Sequence, residues 1–281
     1  MVENSTGQLR LIRCARGYED EVEAGSDFWQ VMGERYGLKL DVVGGSLSNI
    51  PATGPLVVTA NHPFGILDGL MIGNILSQTR GDFRILAHQV FRRAGDLERV
   101  ILPVRFDESQ AALQQNIATR KEALRYLASG GAVAVFPGAT VSTSARLFSP
   151  PMDPAWRNFT ARMIIKARAT VVPVHFIGQN SRLFQIASHL HNNLRVALLI
   201  KEFRARIDRP VPVVIGEPVC PERLNELSKS PGEMMDFLRQ TTYGLSPKPL
   251  RTLEYGFENE EKHRNGASPA KGKRHDGSRH L

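Results

Sequence analysis

The sequence predicts an α/β protein, a sandwich around one largely parallel or mixed sheet flanked by helices. Short apolar runs that read as strands, such as 56–58, 132–136 and 170–176, alternate with longer segments of helical period. Alternation of that kind builds strands joined by helical crossovers. Size agrees: 281 residues with 42% hydrophobic content can bury one large core. The expected layout is a helical segment over 1–37, a main domain over 38–245, and a basic, disordered tail over 246–281.

In chain order, Ser26-Asp27 is a plausible N-cap for a helix running to about Tyr36. Its apolar residues Phe28, Trp29, Val31, Met32 and Tyr36 gather on one side, to dock on the core or to face a membrane or acyl chain. Residues 38–42 alternate at period two and read as a strand. Turn residues over 49–55 precede the apolar run Leu56-Val57-Val58. A further strand is expected at 83–87, followed by His88, given a structural role, and by the cations Arg92 and Arg93. Asp107 with Gln110 resembles a capping box, opening a helix whose buried stripe would be Leu113, Ile117, Leu124 and Leu127. Gly130-Gly131 ends it. The run 132–136 reads as a fully buried strand. Prolines 150, 151 and 154 break the chain before a helix over about 155–168. The strand at 170–176 carries His175, expected to face the core, and 178–182 reads as a loop. A last strand spans 211–219, and a helix from about 232 to 242 closes the fold. Beyond about 258 apolar residues almost vanish, leaving a segment unable to bury enough surface to order itself.

Chemistry concentrates in Thr59-Ala60-Asn61-His62-Pro63-Phe64-Gly65-Ile66-Leu67-Asp68-Gly69. A short strand delivers His62 to a bent loop, and Asp68 follows where a helix starts. An imidazole suits proton abstraction near neutral pH. A carboxylate on its far nitrogen fixes the tautomer and stabilises the imidazolium. The motif holds no Ser or Cys, so the base is expected to activate a substrate's own hydroxyl.

The formal charge of +8 and the pI near 9.8 favour anionic partners: phospholipid headgroups, an acidic carrier protein or coenzyme A phosphates. No nucleic-acid module is recognisable, so that partner is not expected. Two cysteines, Cys14 and Cys220, too few for a disulfide framework, suggest a reducing cytosol. No signal peptide is evident, and no window reaches the roughly 18 apolar residues a spanning helix needs. The expected location is therefore cytoplasmic, peripheral on the inner face of the membrane. No metal-ligand cluster appears, and no cofactor is expected.

With Asn61-His62 and Asp68 on the page, the chain resembles the glycerolipid and lysophospholipid acyltransferases, whose prototype acylates 1-acylglycerol-3-phosphate. That family usually places four residues between His and Asp; here there are five. Asn-His-Pro-Phe-Gly with the longer spacing is similar to a bacterial branch, often labelled hemolysin, that includes ornithine-lipid acyltransferases. The likeness runs from about Leu38 to Val219. Residues 100–107 stand at the second block, where the family carries an Arg associated with acceptor binding, and Arg105 lies near that place. A guanidinium can donate two parallel hydrogen bonds to a phosphate or carboxylate. Phe136-Pro137-Gly138-Ala139-Thr140 matches the third block, normally Phe-Pro-Glu-Gly-Thr, without its Glu. The loop that starts at Pro137, with its N–H groups from Gly138 on and the hydroxyls of Thr140 and Ser142, is a candidate for holding an oxyanion or headgroup. Val172-Pro173 resembles the fourth block, and Gly216-Glu217-Pro218 a familiar ending.

The resemblance implies the glycerol-3-phosphate acyltransferase-like fold and an acyltransferase domain over 38–245. It also implies transfer of a fatty acyl group from an acyl carrier protein or coenzyme A thioester, as co-substrate, to a lysolipid hydroxyl. His62 and Asp68 would be catalytic; Asn61, Arg105 and the 137–142 loop would contact substrate, and Arg182, in the loop after the 170–176 strand, is a secondary candidate for an anionic headgroup. Lyso-ornithine lipid and lysophosphatidate are the expected acceptors. Rival readings are an acyl thioester hydrolase using the same pair on water, and a non-catalytic lipid-binding protein.

Overall fold

The computed structural model describes residues 8–93, 95–105, 109–250 and 252–258. Three short helices come first: α1 (Gln8–Ala15), α2 (Tyr18–Glu23) and α3 (Phe28–Arg35). Asp27 caps α3, its side chain accepting from Gln30 N–H at 3.0 Å. The apolar side of α3 turns inward. Trp29 and Met32 are buried, and Phe28 meets Trp29 edge-on at 5.1 Å between ring centroids. The core, not a membrane, takes this face.

Seven strands form the central sheet: β1 (Lys39–Gly45), β2 (Leu56–Ala60), β3 (Arg84–His88), β4 (Ile101–Val104), β5 (Ala132–Val135), β8 (Thr170–Phe176) and β9 (Pro210–Ile215). A two-stranded hairpin, β6 (Thr143–Ser144) and β7 (Pro151–Met152), stands apart. The sheet order is β1-β9-β8-β2-β5-β3-β4. Strands β8, β2, β5, β3 and β4 are parallel; β9 is antiparallel to β8 and parallel to β1. The sheet is therefore mixed, with a parallel majority, and the protein is α/β. Its middle strands are covered on both faces: β2, with Leu56, two valines, Thr59 and Ala60, and β5, all Val and Ala, are buried at every position.

The crossovers are α4 (Ile66–Arg80), α5 (Gln110–Ala128) and α6 (Asn158–Ala167); α7 (Arg182–Leu190) and α8 (Asn192–Arg204) form a helical hairpin between β8 and β9. Two more helices, α9 (Pro221–Glu226) and α10 (Pro231–Gly244), follow β9. Two expectations need correcting. Asp107 lies outside the described residues, and the cap of α5 is Ser109, whose hydroxyl accepts from Ala112 N–H. The buried face of α5 is Ala112, Thr119, Ala123 and Leu127, while Leu113 and Ile117 are exposed. Small residues bring the helix close to β4, where Thr119 donates to Pro103 O at 2.7 Å. The loop expected at 178–182 is present up to Ser181, which caps α7, so Arg182 opens the helix and is exposed. No helix among the described residues is long and apolar enough to cross a membrane.

Candidate active site

Strand β2 ends at Ala60, and Asn61 leaves it towards β8. Its amide oxygen accepts from Phe176 N–H at 2.7 Å, and its amide nitrogen donates to Phe176 O at 2.9 Å. Expected as a substrate contact, Asn61 is a buried clamp between two strand ends. His62, the next residue, is thereby held at the carboxyl edge of the parallel strands, where open α/β sheets place their ligands.

The chain then turns through Gly65, at φ 87°, into α4. A side chain at Gly65 would stand 3.1 Å from Val141 and 3.2 Å from Leu199 of α8, so close approach as well as backbone conformation calls for glycine. The tight turn aims Asp68 back at the loop that precedes it. Asp68 Oδ2 accepts from the N–H groups of Phe64 at 2.8 Å and Gly65 at 2.9 Å, and lies 3.0 Å from His62 Nδ1. The ring N–H points off the line to that oxygen, leaving Nδ1 without an aligned bond, the looser geometry common before substrate binds. Five intervening residues thus still close the pair. Asp68 is fully buried, and that burial pushes its carboxyl up, against the pull of the imidazole and the two amides.

The imidazole stacks on Phe136 at 4.2 Å and keeps 18% of its side chain exposed. With Nδ1 turned to Asp68, Nε2 is the nitrogen left to take a proton. The hydroxyl of Ser142 is turned elsewhere: it donates to Asp153 Oδ1 at 2.5 Å. Ser142 therefore neither serves as the nucleophile of a triad nor offers substrate the hydroxyl donor expected of it.

Asp153 was not singled out by the sequence, yet it joins both loops. Its Oδ1 also accepts from His62 N–H at 3.2 Å, and its Oδ2 accepts from Trp156 Nε1–H at 3.0 Å. Its own N–H donates to Tyr243 Oη at 2.8 Å. Ser142 N–H returns to His62 O at 2.8 Å, so the His62 backbone is gripped on both sides. A Cβ at Gly138 would lie 3.2 Å from the Cβ of Asp153, so this carboxylate crowds the place of the family's missing Glu. Burial and the Asp153 charge raise the Tyr243 hydroxyl well above its ordinary pKa, keeping it neutral. The one legible signal for Asp153 was an acid set between Pro151 and Pro154 with Trp156 just beyond.

A second missed residue is Arg195 of α8. It donates to Thr140 Oγ1 at 2.9 Å, Thr143 Oγ1 at 2.5 Å and Val141 O at 2.7 Å, staking the loop after β5 to the helical hairpin. Burial lowers its guanidinium to about 10, which still leaves it charged at neutral pH. Pro137 O accepts from Arg157 N–H, and the N–H groups of Ala139 and Ser142 are engaged with Phe136 O and His62 O. An oxyanion held by this loop must therefore use other donors. Arg105 follows β4, and its backbone is pinned on both sides by the Asn116 amide at 2.9 and 2.8 Å. Arg182 sits at the first turn of α7, over the same sheet edge.

An accessible imidazole beside a buried carboxylate, with the neighbouring hydroxyl turned away, has the chemistry to take a proton from a hydroxyl brought to it. The chain belongs to the acyltransferase family, whose sequence model matches residues 28–248. It is similar to the lyso-glycine lipid O-acyltransferase of Phocaeicola vulgatus, 25% identical over 230 residues, covering 79% of each chain. The protein of the same name from Bacteroides thetaiotaomicron is 25% identical over 234 residues, covering 81% of this chain and 82% of its own. Among solved structures, the 1-acyl-sn-glycerophosphate acyltransferase PlsC of Thermotoga maritima aligns with a TM-score of 0.46 at 18% identity. That alignment covers 87% of this chain and 90% of the other.

Proposed function

We propose that this acyltransferase moves a fatty acyl group from a thioester, carried by acyl carrier protein or coenzyme A, to the hydroxyl of a lysolipid. The observation that carries the reading is the His62–Asp68 pair: 3.0 Å apart, the carboxylate buried and the imidazole reachable. In the proposed step the acceptor oxygen attacks the thioester carbonyl while His62 Nε2 takes the hydroxyl proton. The tetrahedral intermediate collapses, the C–S bond breaks, and the thiolate leaves with that proton. Ester and thiol are the products, with no acyl-enzyme. Asp68 holds the tautomer that puts the lone pair on Nε2 and stabilises the imidazolium.

For the acceptor we propose a lyso-aminolipid, of the lyso-glycine or lyso-ornithine kind, over lysophosphatidate. Two features support it: the lyso-glycine lipid names of both relatives, and the absent third-block Glu, whose place Asp153 crowds. Arg105 and Arg182 suit a carboxylate as well as a phosphate. The deciding measurement is kcat/KM for each acceptor with one common acyl thioester. The aminolipid is expected to lead. A tenfold preference for lysophosphatidate, about 1.4 kcal/mol of transition-state discrimination, would overturn the acceptor and leave the chemistry standing. Thioester cleavage at an equal rate without any acceptor would overturn the transfer itself.

A further inference from the structure

The outward face of α7 is apolar where a surface helix should be polar. Leu183, Ile186 and Leu190 recur at the i, i+3, i+7 spacing that sets them on one side, 51%, 36% and 69% exposed. The opposite side, Phe184, Gln185, Ala187 and Ser188, is buried in the protein. Large apolar side chains grouped on the outside of a surface helix mark a contact surface. Leu194, just past the turn into α8, is exposed as well. So is Phe148, 77% exposed at the tip of the β6–β7 hairpin. That hairpin lies against α7: Gln185 Oε1 accepts from Ser144 N–H at 3.0 Å, and His189 Nε2 lies 2.9 Å from Ser144 O.

Within the α7–α8 hairpin the exposed charge has one sign. Over residues 181–206 the cations are Arg182, Arg195, Lys201, Arg204 and Arg206, and the single acid is Glu202. Glu202 is buried, bonded to the hydroxyl and N–H of Ser181. Arg182, Lys201 and Arg204 are exposed. Apolar residues ringed by cations are the signature of a helix lying in an anionic lipid interface.

We propose that the α7–α8 hairpin, with the Phe148 tip, is the surface by which the protein docks on an anionic phospholipid bilayer. Two other occupants fit poorly. A second copy would set Arg182, Lys201 and Arg204 against themselves, and like charges brought together oppose association. The chain's own residues 259–281 carry only Ala267, Pro269, Ala270 and Leu281 as apolar side chains, too few to cover the stripe. The site's position agrees with docking here. Strands β2, β5 and β8 are parallel, so His62, the β6–β7 hairpin and α7 all leave the same sheet edge. Helix α8 also overlies the catalytic loop, Leu199 coming within 3.2 Å of the Cβ position of Gly65. Docked on α7, the protein would present that edge to the membrane holding its acceptor; this last point rests on the lysolipid reading, and the docking itself does not.

The test is sedimentation of the full chain with vesicles of phosphatidylglycerol and phosphatidylcholine in equal parts, against phosphatidylcholine alone. Wild type is expected to prefer the anionic vesicles and to release as salt rises. The double substitution Ile186→Ser with Leu190→Ser is expected to lower partitioning at least tenfold with Tm unchanged, because both side chains are already exposed. Should that variant melt early, charge reversal of Arg182 and Lys201 to Glu gives the second reading, with the same loss expected on anionic vesicles only. Wild-type partitioning by both variants, or equal wild-type binding to neutral and anionic vesicles, would overturn the proposal. A wild-type dimer in sedimentation velocity that the double substitution dissolves would assign the face to a second copy instead. Binding needs no turnover, so an inactive protein that docks and an active one that does not are told apart.

Discussion

At the scale of single residues, His62 and Asp68 are expected to behave unequally. His62→Ala removes the proton acceptor, and kcat/KM should fall about 10²–10⁴-fold, the usual contribution of a general base. Asp68→Asn keeps the side-chain oxygen that Phe64 and Gly65 bond to, yet loses the charge that steadies the imidazolium. Most activity should go while Tm holds or rises, since burial already disfavours that carboxylate's charged form. If His62→Ala retained more than about a tenth of the wild-type kcat/KM, the base would be another residue. His175 gives a pH prediction. It is buried against Tyr243, and burial lowers its imidazole from 6.5 to about 4. Between those values the unfolded chain binds a proton that the folded one refuses. His175 therefore contributes fully above pH 6.5, and that contribution is lost as pH falls towards 4. The loss is about 3 kcal/mol. Urea unfolding at pH 7 and pH 4 should show that difference in wild type and a smaller one in His175→Gln. Equal losses would mean this histidine is not the group responsible.

At the scale of elements, two side chains absent from the motifs tie the catalytic loops to their surroundings. Asp153 binds the loop after β2, the loop after β5 and Trp156 at once. Asp153→Ala strands three donors in a buried site, at about 1–3 kcal/mol for each left unpaired. We expect a total of about 3–5 kcal/mol, read from denaturant midpoints, with activity lost at temperatures where the fold survives. Arg195→Met should act differently. Its three bonds hold Thr140, Val141 and Thr143, so the loop beside His62 should loosen while the sheet stays intact. A fall in kcat/KM larger than the change in Tm accounts for is the expected result. Equal effects on both would make Arg195 a stability residue only.

At the scale of the whole molecule, the parallel strands set every catalytic loop at one edge, and the α7–α8 hairpin roofs that edge. The far end of the described chain returns to it as well. Residues placed in the tail by composition pack there: Gly256 N–H donates to Asp153 O, Phe257 N–H donates to Thr143 O, and Arg239 holds the carbonyls of Leu253 and Glu254. Removing residues 252–258 should therefore lower Tm and activity together, whereas cutting after 258 should leave the folded body's Tm unchanged. A truncation at 251 that melts like the full chain would show the segment to be an adornment.

Strand β2, its loop and the start of α4 were legible in the sequence because their chemistry is local. An apolar run, a Pro/Gly bend and an Asp on the next helix lie within about a dozen residues, and the α/β class follows from alternation alone. The hidden parts depend on distant partners. Nothing near Asn61 says that its amide binds Phe176, 115 residues on. Nothing near Asp153 shows that it serves His62, 91 residues back. On α5, periodicity proposed Leu113, Ile117, Leu124 and Leu127 as the buried face, but of these only Leu127 is fully buried, and the helix packs on Ala112, Thr119 and Ala123 instead. The residue types and the bend that aims them were thus determined by the sequence itself. Which polar groups were free to meet a substrate, and which were bound inside, was decided by tertiary structure, because a hydrogen-bonding side chain's role is set by the partner that folding brings to it.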